Sequence, residues 1–242
     1  MNVIKPAVVA AAGVMLLAGC GDQTTTSAPA APGASAAAST STGNGIADLS
    51  AAEILARAEK AVTDAKSFHA AGTAKQDGAS MAIDLKESGK NLLATISMSG
   101  MKLEILAFDG QSYVKADPKF LESAGVKLPK VSADILAKSW MKPSADDTTF
   151  SDMTDGFGLK ELLNPSGELT KGDVTQLDGK PAVVLNDSKG AGKIYVATTG
   201  EPLPLKATDS DGADITFSEF GAEFPEIKAP AATEIIKLPG KS

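Results

Sequence analysis

Ser80-Met81-Ala82-Ile83-Asp84-Leu85-Lys86, Asn91-Leu92-Leu93-Ala94-Thr95-Ile96-Ser97-Met98 and Met101-Lys102-Leu103-Glu104-Ile105-Leu106 decide the fold of this chain. In each run an apolar residue recurs at every second position: Met81, Ile83 and Leu85, then Leu92, Ala94, Ile96 and Met98, then Met101, Leu103 and Ile105. A period of two places alternate side chains on opposite faces of a strand. The intervening positions include Asp84, Lys86, Thr95, Ser97, Lys102 and Glu104. Each run therefore predicts a strand with one buried face and one wet face, with Leu93 and Leu106 assigned to the wet one. Antiparallel sheets have this pattern, whereas parallel strands are buried on both sides.

The punctuation around these runs agrees. Asp-Gly occurs at Asp77-Gly78, Asp109-Gly110, Asp178-Gly179 and Asp211-Gly212. Both residues tolerate the positive φ of a type I′ turn, so each pair marks a hairpin. Further strands are predicted over 168–177, 180–186, 193–197, 203–208 and 214–217. Helices interrupt them at 118–124, at 132–140 (apolar face Val131, Ile135, Leu136 and Trp140) and at 158–163. Ahead of the first strand, Ser50 and Glu53 have the spacing of a capping box, and Ile54, Leu55, Ala58, Ala61 and Val62 form a helical stripe ending near Lys66. The predicted class is α+β: a large antiparallel sheet curled into a half-barrel, with helices packed on its concave face.

The N-terminus is of another kind. Lys5 precedes an apolar stretch, Ala7 to Ala18, broken only by Gly13, and the stretch ends at Leu17-Ala18-Gly19-Cys20. That is the layout of a secretory leader, too short to remain as a spanning helix. Leu17-Ala18-Gly19-Cys20 resembles the bacterial lipobox, and the resemblance implies cleavage before Cys20 and diacylation of its thiol. The expected organisation is a leader over 1–19, a lipidated start and Ala/Ser/Thr-rich tether over 20–45, and a single domain over 46–242. Two acyl chains suffice for stable anchoring where one does not, so the expected location is the extracytoplasmic side of the cell membrane. Cys20 is the one cysteine, so no disulfide is expected and the domain must rest on its apolar core.

The formal charge is −7, and loss of Lys5 with the leader makes it −8. Arg57 is the only arginine, a poor endowment for reading phosphates or base edges, so nucleic acid is excluded as a partner and the domain is read as a monomer. Catalytic constellations are also missing from the sequence. His69 is the only histidine, and no Gly-x-Ser-x-Gly elbow or phosphate loop accompanies it. Asp209 to Asp214 has the start of a calcium loop but loses two oxygen ligands at Ala213 and Phe220, so a hairpin turn is the simpler reading. Asp146-Asp147 reads as a solvated loop. No enzyme, metal or cofactor is expected.

One resemblance carries a function. Ser67-Phe68-His69, Leu177-Asp178-Gly179-Lys180, the stretch from Ile194-Tyr195-Val196-Ala197 to Gly200-Glu201-Pro202-Leu203-Pro204, and Ile215-Thr216-Phe217-Ser218-Glu219-Phe220, with Ala229-Pro230 near the end, resemble the actinobacterial LppX/LprG-type lipoproteins of the lipoprotein-carrier superfamily, which includes the LolA- and LolB-like proteins. In that family an incomplete barrel encloses an apolar cavity for acyl chains. The resemblance implies a membrane-anchored carrier that binds, and transfers across the envelope, a lipid or lipoglycan. Its cavity candidates are the inward-facing Met81, Ile83, Leu85, Ile96, Met98, Met101, Leu103 and Ile105. Methionines suit such a lining because they are flexible and polarisable, although they fill core gaps equally well. The competing class is a tethered interaction module for a protein or wall component, with no lipid cargo.

Overall fold

A computed structural model of the chain describes residues 43–76, 78–123, 133–142, 158–189 and 192–237. The leader, Cys20, nearly all of the tether, Asp77, Val131 and Asp146-Asp147 lie outside the described residues. The strands are β1 (Ser67–Gln76), β2 (Ala79–Ser88), β3 (Asn91–Met98), β4 (Met101–Phe108), β5 (Gln111–Ala116), β6 (Trp140–Lys142), β7 (Leu169–Leu177), β8 (Lys180–Asp187), β9 (Lys193–Ala197), β10 (Pro204–Thr208), β11 (Asp214–Ser218) and β12 (Ile235–Lys237). Among the described residues they form one unclosed sheet in the order β12-β6-β5-β4-β3-β2-β1-β11-β10-β9-β8-β7. Two meanders, β1 to β6 and β7 to β11, are thus joined edge to edge where β1 pairs with β11.

The alternation read from the sequence is the register of the sheet. Ala70, Leu85, Ala94, Ile105 and Val114 lie in one row across β1 to β5, and all five are buried. Helices α1 (Ala51–Ala65), α2 (Pro118–Ser123), α3 (Ala133–Lys138) and α4 (Leu159–Leu162) pack on this side. Ile54, Ala58 and Val62 of α1, Leu121 of α2 and Leu136 of α3 share one core cluster with that row. Tight turns set the register: Ser99-Gly100, Asp109-Gly110 and Asp178-Gly179 all have both residues at positive φ, the type I′ geometry that suits twisted strands. Ser99-Gly100 does the same work as the Asp-Gly pairs.

The α+β class and the curled, unclosed sheet are as expected, and three details differ. The sheet is mixed, because β12 runs parallel to β6. After β11 the chain, residues 219–234, crosses to the far edge over the other face of the sheet, and so enters that edge in the same direction as β6. The second correction follows from the first. Leu93 and Leu106 do not face water: Leu106, Tyr113, Phe224 and Ile227 form a second buried cluster, with Leu93, Phe108, Trp140 and Ile235 packed against it. The crossing segment is therefore a strap that gives β3 to β5 a core on both faces. The third predicted helix face also changes. Ile135 is exposed, and Trp140 leaves the helix to begin β6, where the Lys115 ammonium lies 4.6 Å from its ring centroid.

The first helix follows its sequence. Ser50 N–H donates to Glu53 Oε2 at 2.9 Å and Glu53 N–H donates to Ser50 Oγ at 3.4 Å, a complete capping box. Ahead of it, Asn44 fastens the start of the domain to the β9–β10 turn, donating from Nδ2 to Ala197 O and Gly200 O at 3.1 and 3.0 Å. Lys171 on the edge strand β7 donates to Ala47 O and Leu49 O at 2.8 and 2.9 Å. Ser50→Ala removes the cap acceptor and is expected to lower stability by about 1 kcal/mol, read as a shift of the urea midpoint with unchanged slope.

Candidate binding cavity

A cavity of about 240 Å³ opens on the concave side, at the end of the sheet where β1, β8 and β10 finish. Ile83 of β2 and Leu169 of β7 both line it. These strands are six positions apart in the sheet, roughly 29 Å if it were flat at about 4.8 Å per strand. The same small space touches both because the sheet curls around it. Leu162 and Leu163 close the cavity from α4 and its end, while Ile194, Ala207 and Ile215 form its floor.

The mouth is polar, and its groups are largely occupied in holding loops. Asp187 Oδ2 accepts from Ser166 N–H at 2.6 Å and Asp187 Oδ1 from Lys189 N–H at 2.8 Å. These bonds pin the α4–β7 connection to the β8–β9 hairpin. Asp209 Oδ1 accepts from Ala213 N–H at 2.7 Å, which closes the β10–β11 turn as a hairpin. Lys193, whose side chain is exposed, completes the rim with Asn164 and Thr208. The result is a mainly apolar pocket with a polar entrance, the general form of a small-ligand site.

The eight residues singled out from the alternation all face the concave side, but they separate into three groups. Ile83 lines the cavity. Leu85, Ile96, Leu103 and Ile105 are buried in the main core cluster. Met81, Met98 and Met101 are half-buried in the outermost row and do not line the cavity, although Met81 pairs with Ala74, which does. The α4–β7 connection, Leu162 to Ser166, and the ends of β8 to β10 supply most of the lining, and no periodic pattern marks them. Their one sequence signal was the Asn164-Pro165 stop after a short apolar turn.

His69 sits on the convex face, away from the cavity. Its Nε2 lies 3.1 Å from Asp84 Oδ2 and its Nδ1 3.3 Å from Glu219 Oε2, so it bridges β2 to the first residue after β11. Next to it, Lys86 pairs with Glu226 of the strap. The hydrogen bond from Lys86 holds the Glu226 carboxyl below its ordinary range, and the same bond raises Lys86 against its partial burial. For Glu104, burial pushes the carboxyl up, but hydrogen bonds from Lys115 and Lys102 and their charges outweigh it and leave the group lowered. A lowered folded-state carboxyl stabilises above its unfolded pKa and loses that contribution as pH falls through the folded value. Glu226→Gln is therefore expected to cost at most about 1 kcal/mol at neutral pH, the ceiling for an exposed pair. The gap from the unsubstituted chain should close as pH drops below the ordinary carboxylate range, as denaturation curves across that window would show.

No protein-family model and no curated protein matches the chain. Among solved structures it is similar to an uncharacterized conserved protein from Thermus thermophilus, with a TM-score of 0.42 at 13% identity, over 78% of this chain and 99% of that one.

Proposed function

We propose that this chain is an exported lipoprotein, anchored through diacylated Cys20 on the extracytoplasmic side of the cell membrane, whose curled sheet holds an acyl tail of a lipid or lipoglycan. The observation that supports it best is the cavity: an apolar floor of Ile83, Ile194 and Ile215 beneath a polar rim, at the open end of the sheet. Such a site takes a tail inward and leaves the headgroup at the mouth. Its volume of about 240 Å³ lies just under the roughly 300–1,000 Å³ of drug-sized pockets, which supports a reading in which part of one tail enters rather than several tails. The lipobox at Cys20 and the resemblance to LppX/LprG-type carriers point the same way.

The test is native mass spectrometry of the full chain, extracted from the membrane of a bacterium that processes its leader and then offered palmitate. A single lipid adduct on the unsubstituted chain, lost in Ile83→Trp, is the expected result. A bare chain that also fails to take up palmitate would sink the proposal. That outcome would favour the tethered interaction module, which the dense packing of Leu85, Ile96, Leu103 and Ile105 beneath the helices supports.

A further inference from the structure

The β3–β4 hairpin carries a methionine at each end of its turn, Met98-Ser99-Gly100-Met101. Ser99 and Gly100 have φ of 52° and 79°, and a two-residue turn of this type sets its flanking residues opposite each other. Met98 is accordingly the register partner of Met101 on β4, and it is also the register partner of Met81 on β2. Directly opposed residues point to the same face with Cβ atoms roughly 4.5–5.5 Å apart. Three methionines therefore occupy neighbouring positions on one face of three adjacent strands, with Met98 in the middle.

The neighbours of this row within the sheet are apolar. Its continuation on β1 is Ala74, and the next row inward is Ile83, Ile96 and Leu103. The pairings place no carboxylate, imidazole or thiol in either row. All three methionines are half-buried, so each remains partly open to solvent, and Met81 packs against the apolar core. We propose that Met81, Met98 and Met101 form an all-thioether site for a soft monovalent cation, Cu(I) or Ag(I).

Ligand chemistry selects that class. Thioether sulfur is neutral and polarisable, and soft sulfur donors select Cu(I), while oxygen donors suit Mg(II) and Ca(II) and imidazole or thiolate suits Zn(II). With no anionic ligand to offset a second charge, a monovalent ion is favoured over a divalent one. Geometry permits the convergence: the outer strands are about 10 Å apart, two strand spacings, and three rotatable bonds in each side chain let Met81 and Met101 lean over Met98. Thioethers need no deprotonation, so binding is independent of pH in the neutral range. The site stands on the methionine row alone and does not rest on the acyl-tail reading.

The test uses the full chain with its single thiol alkylated, titrated with Ag(I) in chloride-free buffer and, anaerobically, with Cu(I) against a chromogenic chelator. One equivalent should bind, and Ca(II) or Zn(II) should not displace it. Met98→Leu keeps volume and apolarity and should weaken binding by at least about tenfold, since even outer-shell losses cost about 10–100-fold. Methyl NMR should show the resonances of Met81, Met98 and Met101 moving together. Absence of binding, affinity unchanged in Met98→Leu with its melting temperature intact, or shifts confined to other methionines would each overturn the site.

Discussion

Gly72→Ala is expected to disrupt the fold more than any other single methyl addition, with a loss of about 3 kcal/mol or more, the upper range for overpacking. Gly72 lies on β1, the strand at which the two meanders join, opposite Ile83 on one side and Ile215 on the other. A Cβ at this position would overlap the Asp214 carbonyl oxygen and stand 2.9 Å from both Asp214 C and Ile215 Cα. These are backbone atoms of the paired strand, so no rotamer change relieves the contact. The demand here is for space and not for an unusual dihedral, which is the meaning of a strand glycine where another backbone approaches closely. Relief requires β11 to move away from β1, and β1–β11 is the pairing that joins the meanders. Urea denaturation and amide exchange over 214–218 read the effect: the midpoint should fall and the β11 amides should lose protection first. An unchanged midpoint would mean that the two meanders tolerate separation at this seam.

How much of this was legible in the sequence depends on where the information lies. Strands β2, β3 and β4 were readable because alternation and tight turns are local, and a period of two fixes the face of each strand residue between Met81 and Ile105. The strap was not, because Phe224 and Ile227 stand in a stretch with Pro225, Glu226 and Pro230 that has no period. Its signal lay on the receiving side, where Ile105-Leu106-Ala107-Phe108 is a continuous apolar run of the kind that marks burial on both faces. The cavity is a different case. Ile83 was legible as inward-facing, but Leu163, Ile194 and Ala207 meet it only because the sheet curls, and curl is a property of twelve strands rather than of any one. The methionines were visible as inward positions in the alternation. Their alignment in one row depends on the cross-strand register, which the Ser99-Gly100 turn sets between β3 and β4.

Phe224→Ala is expected to cost about 3–5 kcal/mol, the range for removing a buried aromatic ring. Phe224 is buried in the second cluster with Leu106, Tyr113 and Ile227, and the Lys86 ammonium lies 5.6 Å from its ring centroid. Removing the ring leaves a void beneath the strap, deprives Lys86 of its aromatic partner, and weakens the Lys86–Glu226 pair that fastens the strap beside it. The consequence travels along the chain. The strap carries the backbone from β11 to β12, and β12 pairs with β6, itself joined to β5 through the Val114–Met141 register pair. Loosening the strap should therefore free the β12–β6 edge before it disturbs the concave core, where Leu85, Ile105 and Val114 are held by helices on the other side. Amide exchange should show early loss of protection over 140–142 and 235–237, with the β8–β9 amides still protected. Phe224→Leu, which refills most of the volume, should recover much of the stability without the cation–π contact. A cost below about 1 kcal/mol for Phe224→Ala, well short of the range for a buried ring, would show that the strap merely lies on the sheet and does not bind its edge.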